Sequence, residues 1–134
     1  MRTVEESTFV LASAVRVETF LTPETVVEAE GTFAVVDVAG DPPVVTARAS
    51  GMTATFAFEE RSDGYEYTQQ GSAGPFEAME TTLTWTGGDD GTTVTARSSV
   101  SLGLPLAALT DRVAAWKRRG ELKRLLGRIE AEFE

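Results

Sequence analysis

"SSVSLGLPLAALTDRVAAWKRRGELKRLLGRIE" occupies residues 98–130, and its reading decides the fold. The first residues continue an alternating strand, and Gly103-Leu104-Pro105 breaks that period. Residues 105–130 have the spacing of one long helix, with Pro105 at its start. Leu109, Val113 and Trp116 recur at helical spacing, and Ala108, Ala115, Leu122 and Ile129 repeat every seven residues beside them. The two stripes form a broad apolar arc, which is expected to face a sheet. Gly120 falls where the first stripe would continue. It weakens a helix interior by about 1 kcal/mol against Ala, which implies a bend or a close contact there.

Upstream, the period is that of strands. Residues 2–10 alternate loosely and make a first strand. Two short helices are expected next. Ser13 caps one that uses Val15, Val17, Phe20 and Leu21. Thr22 caps the other, with Pro23 at its first position and Gly31 at its end. Strands are then expected over 32–38, 44–50, 52–60, 65–71, 76–85 and 92–102. Turns fall at Asp41-Pro42-Pro43, at 61–64 with Asp63-Gly64 as the hairpin signal, at 73–75 and at 87–91. Successive strands with short turns imply an antiparallel sheet.

Side-chain alternation assigns its faces. One face carries Met52, Ala54, Phe56 and Phe58, then Tyr65, Tyr67 and Gln69. It continues with Glu77, Met79, Thr81, Leu83 and Trp85, then Val94, Ala96, Ser98, Val100 and Leu102. The other face is rich in Thr, Glu and Arg. A sheet with one apolar face needs a cover, and the last helix supplies it.

Composition narrows the function. The chain has 134 residues, 42% of them hydrophobic, which is enough for one domain with a core over 1–134. It contains neither Cys nor His. Disulfides, thiolate nucleophiles, the usual zinc ligands and the commonest general base are thereby excluded. No spacing of carboxylates suggests a metal, and no residue set points to a cofactor or a catalytic group. Residues 1–10 lack an apolar stretch, and no apolar run reaches the roughly 18 residues of a membrane helix. A cytoplasmic location without a membrane span is therefore expected.

The net charge is −9, and Lys117 and Lys123 are the only lysines. An acidic, lysine-poor surface that stays hydrated where salt screens charge suggests a halophilic, haloarchaeal source. It also makes nucleic acid an unsuitable partner. Residues 105–134 hold seven cations against five acids, a charge of +2, which leaves −11 on residues 1–104. The basic helix reads either as a solvated face or as a docking patch for a protein partner through Arg118, Arg119 and Arg124. An open sheet edge is compatible with a monomer or a weak dimer.

The order of elements, with "GPFEAMETTLTW" (74–85), "DDGTTVTARSSVSLGLP" (89–105) and the closing "ELKRLLGRIE" (121–130), resembles the START-like (SRPBCC) superfamily. The likeness is to its polyketide cyclase/dehydrase-like and carbon-monoxide-dehydrogenase-subunit-G-like members. The resemblance implies an α+β helix-grip fold, a curved antiparallel sheet wrapped around a long C-terminal helix. It also implies an apolar pocket between the two, binding a hydrophobic small molecule such as a lipid, isoprenoid, quinone or polyketide-like compound. The inward candidates are Phe56, Phe58, Tyr67, Glu77, Met79, Leu83, Leu109, Val113 and Trp116. Binding without catalysis is the leading expectation. The alternatives are docking of a protein through the basic helix, or a cyclase/dehydratase-type enzyme using Glu77 and Tyr67.

Overall fold

A computed structural model of the protein describes residues 1–71, 75–103 and 107–134, without the side chains of residues 107 and 108. The chain runs β1 (Arg2–Val10), α1 (Ala14–Phe20), α2 (Pro23–Ala29), β2 (Ala34–Ala39), β3 (Val44–Ala49), β4 (Met52–Arg61), β5 (Gly64–Gln69), β6 (Ala78–Gly87), β7 (Thr92–Ser101) and α3 (Ala107–Glu132). The seven strands form one curved antiparallel sheet in the order β1-β7-β6-β5-β4-β3-β2. Strands β2 to β7 are a meander, and β1 closes against β7. Helices α1 and α2 carry the chain from one edge of the sheet to the other. This is the helix-grip architecture expected from the sequence.

Local chemistry explains the boundaries. Ser13 accepts from the Arg16 amide at 3.3 Å and starts α1. Thr22 accepts from the Thr25 amide at 3.2 Å and starts α2, with Pro23 next. Gly31 has φ +84°, the left-handed geometry that ends a helix. The β4–β5 hairpin turns within the expected residues 61–64, but Asp63-Gly64 is not its central pair. Its turn is Ser62-Asp63, and Gly64 is already paired with Arg61 as the first residue of β5. Gly64 is needed for close approach instead, since a Cβ there would collide with the Leu83 carbonyl. The expected turn at 73–75 falls largely outside the described residues, as do Pro105 and the side chain of Ala108.

The alternation puts the expected face inside. Phe56, Phe58, Tyr65, Tyr67, Met79, Leu83, Trp85, Val94, Ala96 and Val100 are all buried. Phe58 stacks on Tyr67, with centroids 4.5 Å apart, and meets Tyr65 edge-on at 5.5 Å. Helix α3 lies on β1 and β7, beside α2. Its second half is amphipathic in the ordinary sense. Leu122, Leu125, Leu126 and Ile129 are buried, each worth about 1.5–3 kcal/mol of apolar transfer.

Its first half is inverted, which corrects the expected helix face. Leu109, Val113 and Trp116 are 61%, 56% and 78% exposed, and point away from the sheet. The buried side carries Asp111, Ala114, Ala115, Arg118 and Glu121. The physical reason is that the sheet and the α2 terminus offer partners for these charges, which helical spacing cannot reveal. Gly120 also has no close contact. A Cβ there would meet only the Arg124 guanidinium, at an ordinary 3.6 Å.

Candidate functional site

The site is built on one row of the sheet. Register aligns Phe58 with Tyr67, Tyr67 with Thr81, and Thr81 with Ser98. Three neighbouring strands therefore present three hydroxyls side by side on the concave face. Above them α3 places Arg118, whose side chain is 1% exposed.

Arg118 is the hub. Its Nε donates to Ser98 Oγ at 3.0 Å, and Nη2 donates to Thr81 Oγ1 at 2.8 Å and to Tyr67 OH at 3.2 Å. Its two terminal nitrogens also grip Glu30 in a fork, Nη1 to Oε1 at 2.7 Å and Nη2 to Oε2 at 3.0 Å. Nη1 further donates to Glu121 Oε1 at 3.2 Å. Glu30 sits at the C-cap of α2, and Tyr67 OH donates to its Oε2. Glu121 accepts from Thr32 Oγ1 at 2.5 Å, and Lys117 lies 3.9 Å from it at the rim. Arg124 pins the main chain beside Glu30 by donating from Nε to the Glu30 carbonyl at 2.7 Å.

Electrostatics keep the cluster in one state. Burial raises the Tyr67 phenol well above its usual pKa, and the adjacent Glu30 carboxylate adds to this. Tyr67 therefore stays a neutral donor. Burial opposes the charge on Arg118, but Glu30, Tyr67 and Glu121 outweigh it and leave the guanidinium above its ordinary value. Two buried carboxylates face the buried Arg118, with Lys117 and Arg124 at the rim.

Of the sequence-derived candidates, Phe56, Phe58, Tyr67, Met79 and Leu83 converge on the concave face. Leu109, Val113 and Trp116 do not, since they lie on the outward side of α3. Glu77 is exposed, just before β6. It precedes Thr81, the partner of Tyr67, by four residues, or about 13 Å of strand. The proposed proton-transfer pair of Glu77 and Tyr67 is therefore not assembled. Gln69 lies two residues from Tyr67 on the same face. Its amide nitrogen donates to Gly71 O and Phe76 O, and its buried Oε1 has no partner among the described residues.

The cluster also corrects the docking expectation, because Arg118 is enclosed and cannot belong to a surface patch. Arg118, Glu30 and Glu121 were missed by sequence reasoning. A signal existed for Arg118, which lies on the helical face of Ala115, Leu122 and Ile129. Nothing in "EAEGT" (28–32) marks Glu30.

The arrangement, an antiparallel sheet closed by a C-terminal helix, defines a fold class, and solved structures share that fold. A START superfamily protein from Mycobacterium smegmatis superposes with a TM-score of 0.66 at 18% identity, covering 96% of this chain and 97% of that one. The protein XoxI from Bacillus cereus gives 0.77 at 13% identity, covering 99% and 96%. The di-domain ARO/CYC BexL of the BE-7585A biosynthetic pathway gives 0.63 at 22% identity, covering 98% of this chain and 47% of that one. No protein-family model and no curated protein matches the chain. The chain shares the helix-grip fold of these structures, among them the START superfamily protein.

Proposed function

We propose that the protein binds a hydrophobic small molecule between α3 and the concave face of the sheet. One observation carries this reading. Phe56, Phe58, Met79 and Leu83 form an apolar wall around a small convergent polar group, the hydroxyl row with Arg118. Small-molecule sites are built in this way, with apolar lining for affinity and a few fixed polar groups for orientation. Lipids, isoprenoids, quinones and polyketide-like compounds all fit that description. The chain's three methionines make the test simple, because Met79 is buried in the wall while Met1 and Met52 are exposed. Methyl NMR during titration with farnesol, a naphthoquinone and dodecanol should shift Met79 saturably and leave Met52 in place. A silent Met79 with all three compounds would defeat the proposal.

A second reading, docking of an acidic protein, is favoured by the outward face of α3. Between residues 109 and 127 its exposed charges are Arg112, Arg119, Lys123 and Arg124, with the half-buried Lys117, around Leu109, Val113 and Trp116. Both carboxylates of that stretch, Asp111 and Glu121, are buried. Charge reversal at Arg119 and Lys123 should abolish capture of such a partner, and capture that survives it would exclude this surface. The acidic, lysine-poor composition supports a halophilic, cytoplasmic protein. The thermal midpoint should then climb steadily from dilute to molar KCl.

A further inference from the structure

The forked contact between Glu30 and Arg118 has the geometry by which a protein recognises a carboxylate from outside. Three donors converge on the Glu30 carboxylate: Arg118 Nη1 at 2.7 Å, Arg118 Nη2 at 3.0 Å and Tyr67 OH. We propose that this is a carboxylate site occupied by the chain's own Glu30, and that the ligand is an apolar monoacid whose carboxylate takes Glu30's place. The inference rests on the binding function proposed above and names the class of molecule bound.

Three features separate this from a merely structural ion pair. First, the guanidinium does not depend on Glu30 for its orientation. Ser98 and Thr81 hold Nε and Nη2 from the sheet, and Glu121 holds Nη1 from α3 itself. The site is therefore preorganised to receive a second carboxylate. Second, Glu30 is attached so that its side chain can leave while its backbone stays. Arg124 fixes the Glu30 carbonyl, and Gly31 turns the chain immediately afterwards. Third, the charge count selects the ligand. Glu30 is one of two buried carboxylates that face Arg118, with Lys117 and Arg124 at the rim. A monoanion in place of Glu30 preserves the charge and refills the two-pronged contact, whereas a neutral head group leaves Arg118 with Glu121 as its one buried carboxylate partner and its fork toward Glu30 unfilled. A buried pair of this kind seldom adds stability over an apolar core, so its presence beside an aromatic wall is better explained by recognition.

The test compares dodecanoate with dodecanol, which share a chain and differ in the head group. Calorimetry on the wild-type protein should show dodecanoate binding at least about tenfold tighter, a difference of about 1.4 kcal/mol. Glu30→Ala removes the internal competitor and should tighten dodecanoate further, with no equal gain for dodecanol. The Arg118 Nε–H resonance reports the place, and should move with dodecanoate. Equal affinity for acid and alcohol, with Met79 shifting, would overturn the carboxylate site and leave the apolar site standing. No binding of either, with Met79 silent, would overturn both. A preference for the acid without movement at Arg118 would place it on the surface cations of α3 and also refute the proposal. Should Glu30→Ala not fold, Glu30→Gln replaces it, and the wild-type comparison needs neither variant.

Discussion

Replacing Arg118 with Met removes the centre of the cluster while keeping most of its volume. In the native protein Arg118 makes six hydrogen bonds to Glu30, Glu121, Tyr67, Thr81 and Ser98. After the change, Glu30 keeps only Tyr67 within the cluster, and Glu121 keeps Thr32 and the rim Lys117. Breaking a buried pair by removing one partner costs about 3–5 kcal/mol, because the other charge is left uncompensated. Against a total stability of about 5–15 kcal/mol for a domain, that is about a fifth or more of what holds the chain folded. It corresponds to a fall in thermal midpoint of roughly 10–20 °C for a chain of this size. Urea denaturation of the wild type, Arg118→Met, Glu30→Gln and the double variant closes a cycle. The double variant should lose less than the sum of the singles by at least about 1 kcal/mol, since the two groups act as one unit. A loss below about 1 kcal/mol for Arg118→Met, or strict additivity in the cycle, would refute the reasoning that the cluster is a coupled, enclosed network.

Three further outcomes are expected. The Tyr67 pKa is raised in the folded state above its unfolded value of about 10, so its contribution is intact below pH 10. It is lost as pH rises further, at up to about 1.4 kcal/mol per pH unit. Urea midpoints from pH 9 to 11.5 should fall less steeply in Tyr67→Phe, with Tyr65, whose pKa burial also raises, supplying a remainder. A Cβ at Gly127 meets nothing within 4 Å, and one at Gly120 makes an ordinary contact. Each Gly→Ala change should therefore stabilise by about 0.5–1 kcal/mol in thermal melts, whereas Gly64→Ala should destabilise strongly. Glu77→Gln should alter stability by less than about 0.5 kcal/mol and leave ligand affinity unchanged in calorimetry, since Glu77 lies on the surface.

The fold was legible wherever period and punctuation agree. Alternation assigned the buried face from Ala54 to Val100, while Met52 and Glu77, also placed inward by parity, are exposed at strand ends. Ser13, Thr22, Pro23 and Gly31 marked the early helices within a residue or two. The first half of α3 was misread because helical spacing ranks faces by hydrophobicity, and there the buried face is the charged one. Arg118 is tolerated inside through Glu30, which lies 88 residues earlier in the chain, through Glu121 one turn on in α3, and through hydroxyls from three strands. Such long-range compensation leaves no periodic trace. Tyr67, Thr81 and Ser98 were individually placed on the inward face by parity. What was missing was the register that lines them up, which depends on turn geometry and on where Gly64 permits close approach.

The measurement that bears most directly on the central claim is solvent extraction and mass spectrometry of the protein purified gently from its own host in high salt. The account predicts one apolar compound, an acid by the argument from Arg118, in near-stoichiometric amount, which disappears from a variant with Phe58 and Met79 replaced by charged residues that still folds. An empty extract from folded wild-type protein, together with a Met79 methyl that responds to no apolar titrant, would contradict it.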